Sequence, residues 1–412
     1  MRYAFLAVLT ICTLSLLTGC GGGSGTTMTP PNTTTVQLKV VGGTPVAAAV
    51  QINGGTWTSL TLSGSTASFS VSSTTTPYAV AVFCPLPSSN TRVETIFEAT
   101  AADTTTVTSG CPTVTSVPLT VNYNVSAIPG AQEAEVSVGD TISAYWSGAN
   151  SAANISAVSA GVQDIGVAAY GPSPNTAATG VQIQRGINVT GAPITVPPMS
   201  LTDQTGSAPI AVNSVPAGYA NTINAYYVTA GGASIPINGN NVPNYALVAA
   251  GDTIAGDYYL VQSQATNGGN TSLVESLQSF SSPQSPTLTL PGVMNYLGPT
   301  PAAYPTFNPS YSGFTITGKT GLIAALDWQT GGVTDIVFVY ATTAFIGTSN
   351  QVAIPNLSAV SGFLAPPVGG TTVAWSVGAF SQTQPYFAFD LPNAPDNETA
   401  QYAIASGTYS EP

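Results

Sequence analysis

Short apolar alternations, each closed off by turn residues, constrain this chain more than any other feature. Val36-Gln37-Leu38-Lys39-Val40 puts an apolar side chain at every second position. Phe69-Ser70-Val71, Val181-Gln182-Ile183-Gln184, Phe314-Thr315-Ile316-Thr317 and Trp375-Ser376-Val377 do the same. Side chains alternate across a strand, so period two gives one buried and one solvated face. Gly, Pro, Asn and Thr interrupt these runs at short intervals, which is the punctuation of strands and turns. Asn53-Gly54 predicts a type I′ turn after Val50-Gln51-Ile52, close before Trp57. Beyond the first twenty residues no apolar stripe of helical spacing is sustained. Leu322 to Trp328 comes nearest, and its β-forming neighbours make it a strand. The expected fold class is all-β, with tandem antiparallel β-sandwich domains.

The N-terminus is different. Arg2 precedes an apolar, uncharged run from Tyr3 to Leu17, followed by small residues and Cys20. Charge, apolar stretch and small residues in that order make an export signal. As a helix the run would rise roughly 22 Å, short of a hydrocarbon core of about 30 Å. Leu17-Thr18-Gly19-Cys20 resembles the lipobox of bacterial lipoproteins. The resemblance implies that Leu17 seats in the signal peptidase, that Thr18 and Gly19 allow close approach, and that Cys20 takes a diacylglycerol and becomes the new N-terminus. Membrane attachment would then run through acyl chains on Cys20. Gly21, standing where an acid commonly signals inner-membrane retention, points by the same resemblance to the outer membrane or cell surface, facing either the periplasm or the exterior. Residues 1–19 are read as the signal peptide. Residues 20–34, rich in Gly, Ser, Thr and Pro, are read as the lipidated cysteine and a flexible linker.

Export gives the remaining cysteines a meaning. Cys12 leaves with the signal and Cys20 carries lipid, so Cys84 and Cys111 form an even pair in an oxidising compartment, expected as a disulfide. Charge excludes other functions. Only 5% of the 412 residues are charged, and the net charge is −12. The mature chain keeps Lys39, Arg92, Arg185 and Lys319, no two adjacent, which rules against a nucleic-acid partner. Histidine is absent, so Ser-His-Asp, Cys-His and His-built zinc sites are absent too. No cofactor or metal is expected.

A weak repeat of about 90 residues organises the rest. Ala67–Val71 leads into Tyr78–Phe83, Asn154–Val158 into Asp164–Ala169, and Asn244–Val248 into Asp257–Val261. Four units are expected: 35–119 with the disulfide, 120–205, 206–292 and 293–412. Thr56-Trp57 through Cys84-Pro85, and Gln163-Asp164-Ile165 through Gln184-Arg185-Gly186, look like small modules of exported bacterial lipoproteins. In the last unit Trp328 precedes Val337-Phe338-Val339-Tyr340 in the next strand, which resembles fibronectin type III or immunoglobulin-like sandwiches.

Candidate chemistry is sparse. Glu133/Glu135, Glu94/Glu98 and Asp327/Asp335 are carboxyl pairs that could serve glycoside hydrolysis. Asp396-Asn397-Glu398 is the best oxygen cluster for a cation, and reads as a solvated loop. Tyr226-Tyr227 and Tyr258-Tyr259 each place one ring on either face of a strand. Tyr296, Tyr304, Phe307 and Tyr311 stand in a stretch with Pro299, Pro301, Pro305 and Pro309, expected as a surface connection whose rings could meet a glycan or an envelope protein. The leading expectation is a non-enzymatic, lipid-anchored envelope protein for adhesion, scaffolding or ligand display. A carbohydrate-binding lipoprotein and a carboxylate-based glycosidase stay open.

Overall fold

The structure, a computed structural model, describes residues 33–412 apart from 87–89, 112–115, 144–145, 173–175, 240, 270 and 388–397. Leu17, Thr18, Gly19 and Cys20 therefore lie outside the described residues, as does nearly all of the expected linker.

The chain is all-β. Apart from a 3-10 turn at Leu201–Asp203 and one helical turn at Thr343–Ile346, every regular element among the described residues is a strand. Thr34–Val41 shows why. Val36, Leu38 and Val40 are at most 1% exposed, while Thr35 and Gln37 between them face solvent. Lys319–Thr330 is the contrasting case: Gly321 to Leu326 are buried without alternation. That pattern belongs to a strand covered on both faces. Asn53 and Gly54 both have positive φ, 52° and 66°, and Gly55 N–H donates to Ile52 O, so the expected type I′ turn is formed.

The repeat is topological. Three sandwiches share one plan, in which the first and last strands run parallel in one sheet. These pairs are Thr34–Val41 with Thr106–Gly110, Ser116–Asn124 with Ile194–Thr195, and Ala211–Asn213 with Thr287–Thr289. The facing sheet has a three-strand antiparallel centre. It is Ala47–Ile52, Pro77–Leu86 and Thr91–Thr100 in the first sandwich. Glu133–Val138, Gly161–Tyr170 and Gly180–Val189 form it in the second. Ala220–Val228, Tyr258–Thr266 and Ser272–Phe280 form it in the third. The two strands matched in each sequence repeat lie in opposite sheets of their sandwich. The boundary expected near 120 falls inside Ser116–Asn124, which pairs with Asn150–Ser159 and Ile194–Thr195. That strand belongs with the residues that follow it.

The C-terminal strands join the sandwiches together. Thr399–Ser410, Thr372–Gln382, Lys319–Thr330 and Val333–Thr342 form one layer inserted between Ser272–Phe280 of the third sandwich and Thr91–Thr100 of the first. The result is a twelve-stranded sheet running through three of the four expected units. Open sheet edges invite unwanted pairing, and here the chain covers two of its own. The join between Val333–Thr342 and Thr91–Thr100 is parallel. Polar ties flank it. Arg92 forks onto Asp335 at 2.6 and 2.7 Å, Asn90 donates to Gly332 O at 2.6 Å, and Thr342 donates to Asp103 Oδ2 at 2.6 Å.

One expected strand is not formed. Phe314-Thr315-Ile316-Thr317 is irregular chain. The N–H groups of Thr315 and Ile316 donate to the side-chain oxygen of Gln401, at 2.9 and 3.3 Å, rather than to a neighbouring strand. Gln401 is 1% exposed and is a better partner there than water.

Candidate functional site

Cys84 and Cys111 form a disulfide with Cα atoms 5.4 Å apart. It ties Pro77–Leu86 of the large sheet to the covering sheet of the first sandwich just beyond Thr106–Gly110. Its role is structural, because both sulfurs are buried.

The carboxyl pairs do not converge. Glu94 and Glu98 share a strand face four residues apart, but Glu98 is not among the residues that line the cavity holding Glu94. Glu94 lines a cavity of ≈ 10 Å³ with Tyr304 and Trp328, room for about one water-sized body and none for a sugar ring. Asp327 and Asp335 lie on opposite faces, since Asp327 sits across from Ile336 and Asp335 across from Trp328. Asp335 is bound by Arg92. Asp396 and Asn397 lie outside the described residues, and Glu398 is buried. Among the described residues no three His, Cys, Asp or Glu side chains gather as a metal set.

Several of these acids carry a pH consequence. Burial raises Glu94 to about 7 despite the Leu364 N–H it accepts, Glu98 to about 8 and Glu398 to about 7. The folded state therefore holds more protons than the unfolded state between the ordinary value of 4.5 and these values. Stability is full below that ordinary value and is lost as pH rises through about 7–8. A melting scan should show a temperature several degrees lower at pH 8.5 than at pH 5, and the Glu94→Gln/Glu98→Gln variant should flatten that slope. A profile unchanged by the double substitution would reject this assignment.

The tyrosines divide. Tyr296 meets the Trp375 ring edge-on at 5.6 Å, Phe307 is fully buried, and Tyr311 packs on Phe314 at 5.6 Å. With Tyr304 they cover the sheet face that carries Leu326, Trp328 and Trp375. The Pro-rich stretch does remain irregular apart from Thr306–Phe307, but its rings form the second layer over that core. Tyr227, Tyr245, Tyr259 and Phe280 likewise build the core of the third sandwich, with centroids 5.0–5.9 Å apart. Tyr226, on the other face from Tyr227, does not join them.

Tyr226 instead lines an open groove of ≈ 270 Å³ where the second and third sandwiches meet. Its walls are Glu135 and Ile142 from one side and Thr222, Asn224 and Tyr226 from the other, closed by Pro236, Asn238, Gly239 and Asn241. Local chemistry explains the geometry. On Ala220–Val228 the apolar Ile223, Ala225 and Tyr227 point into the core, so Thr222, Asn224 and Tyr226 must face outward. The neighbouring strand Ser234–Pro236 is short. Beyond its end, side-chain amides take over the ladder. Asn238 accepts from Ala225 N–H at 2.7 Å and donates to Ile223 O at 2.9 Å, while Asn241 accepts from Ile223 N–H at 2.9 Å. Asn241 holds a positive φ of 55°, which Asn tolerates better than most residues.

The second sandwich closes the groove by docking on that short strand. A Cβ at Gly166 would fall 2.2 Å from Ile235 Cγ1, so only glycine permits the approach. Tyr170 donates to Pro236 O at 2.9 Å, and Arg185 forks onto Asp257 from across the junction. Burial and the charges of Glu135 and Glu275 push the Tyr226 hydroxyl up to about 12, so it stays a neutral donor and acceptor.

Of the carboxyl pair on Glu133–Val138, only Glu135 belongs to the groove. Thr222, Asn224, Asn238 and Asn241 were not among the sequence candidates. The Asn-rich run 238–241 was their one visible trace.

No family model matches the chain, and no curated protein does. Among solved structures, the FN1–FN3 domains of chicken CNTN1 align with 61% of this chain and 84% of theirs, at 11% identity and a TM-score of 0.13. A score that low carries no weight for fold or function.

Proposed function

We propose that this chain is a non-enzymatic protein of the bacterial cell envelope, held at the membrane by acyl chains on Cys20, whose joined sandwiches display a binding site. The groove between the second and third sandwiches carries the reading. It is open, polar, and built on strands locked by the inter-sandwich clasp. Sites on rigid strands hold their groups with little entropy to lose on binding. The disulfide fits an oxidising compartment. A binding role fits better than hydrolysis because the carboxyl pairs face apart, do not line one cavity together or contribute only Glu135 to the groove.

The anchor is tested in a bacterial host. Cys20→Ser should abolish lipid labelling and move the protein from the membrane fraction to the soluble fraction. Equal labelling and equal membrane retention in both forms would defeat the anchor, leaving the groove untouched as a separate question.

A further inference from the structure

We infer that the groove binds an uncharged, polyhydroxylated ligand, a short saccharide. This rests on the groove being the binding site. Its lining gives the reason. Thr222 and Tyr226 offer hydroxyls, Asn224 a side-chain amide, and Glu135 stands beside them. Hydroxyls and amides both donate and accept, which matches a ligand whose every polar group does the same. The ring of Tyr226, with Ile142 and Pro236, adds apolar surface of the kind that packs on the C–H face of a sugar.

Charge narrows the choice. No lysine or arginine lines the groove. Arg185 is engaged in the clasp, Arg92 is bound to Asp335, and Lys319 lies over the Tyr386 ring at 5.4 Å. A phosphate, sulfate or acidic sugar would find no basic side chain in the lining and would face the carboxyl of Glu135. A metal ion is equally mismatched, because Glu135 is the one carboxyl in the lining and hard cations take several charged oxygens. The volume of ≈ 270 Å³ is just under the range of about 300–1,000 Å³ for small-molecule clefts. That suits one or two sugar rings with the remainder of a chain running out through the open mouth.

The test titrates the full chain, by calorimetry, with neutral oligomers of glucose, galactose, mannose and N-acetylglucosamine. Sialylated and sulfated oligosaccharides, spermidine and Ca²⁺ form the charged arm. At least one neutral oligomer should bind, with affinity changing less than about twofold between low and high salt, since no ion pair is made. Asn224→Ala and Thr222→Ala should each weaken it about tenfold, the loss expected for one buried hydrogen bond of a bound ligand. Both variants should keep the parent melting temperature. If only charged ligands bind, the assignment of an uncharged saccharide is wrong, and loss of that binding in Asn224→Ala keeps the groove as the site. If a neutral oligomer binds equally well to both variants, the groove itself is not the site. If neither arm binds, the inference is overturned.

Discussion

Arg185→Ala should destabilise the protein by about 3–5 kcal/mol, the cost of removing one partner from a buried ion pair. Asp257 is 2% exposed at its side chain and Asp164 8%, and Arg185 faces both. Its guanidinium donates to Asp257 at 2.6 and 3.1 Å, to Asp164 at 3.4 Å, and to Asp252 O at 2.7 Å. Removing it leaves two buried carboxylates with no cation near them. Asp257 keeps the Tyr227 hydroxyl and the N–H groups of Ala230 and Ile254, and those neutral donors do not balance its charge. Arg185→Lys should recover less than half, because an ammonium cannot reproduce the planar fork. Arg185→Ala combined with Asp257→Asn should recover more, because it removes the orphaned charge. Denaturant titration followed by fluorescence measures all three. A loss under about 1 kcal/mol in the single variant, the value of an exposed pair, would show that the clasp does not hold the second sandwich to the third. The groove shares this junction, so any ligand binding should fall with the clasp.

Loss of the Cys84–Cys111 bridge should be nearly as costly. The two cysteines are 27 residues apart, and closing a loop of that length removes chain entropy from the unfolded state worth about 3–4 kcal/mol. The bridge also crosses the layers of the first sandwich. Its covering sheet, Thr66–Val71, Thr34–Val41 and Thr106–Gly110, has three strands and meets the large sheet mainly through apolar contacts. Cys84→Ala/Cys111→Ala should therefore lower the denaturation midpoint, and reductant should lower the parent's midpoint to match while leaving the variant unchanged. Thiol alkylation of the exported, denatured protein should modify neither cysteine before reduction and both after it. Identical midpoints with and without reductant would count against a stabilising bridge.

The all-β character was legible because period two is a local property: Val36, Leu38 and Val40 announce their face without reference to any partner. The 90-residue repeat was legible for the same reason, as each copy brings its own alternations and turns. Trp328, set in a strand by its β-forming neighbours, is 3% exposed. Pairing of strand edges was not legible. A hairpin writes its register into its turn, but Val333–Thr342 meets Thr91–Thr100 in parallel across a separation no turn encodes. The repeat could not reveal that the C-terminal strands cover edges of the first and third sandwiches.

The same division runs through the candidate residues. Proline correctly kept most of the Tyr296–Tyr311 stretch out of the sheet, because it cannot donate to a ladder. Whether its rings faced solvent or core depended on Trp375 lying beneath them, and only the assembled sheet places it there. Glu135 and Tyr226 were visible as a carboxyl and a ring on strands. Thr222 and Asn224 read as an ordinary solvated face, since polar alternation looks alike whether water or a neighbouring domain lies opposite. Local chemistry by itself determined which side chains turned outward on each strand. The tertiary structure decided that two such faces meet, because the Gly166–Ile235 approach and the Arg185 clasp join residues whose contact no local pattern specifies.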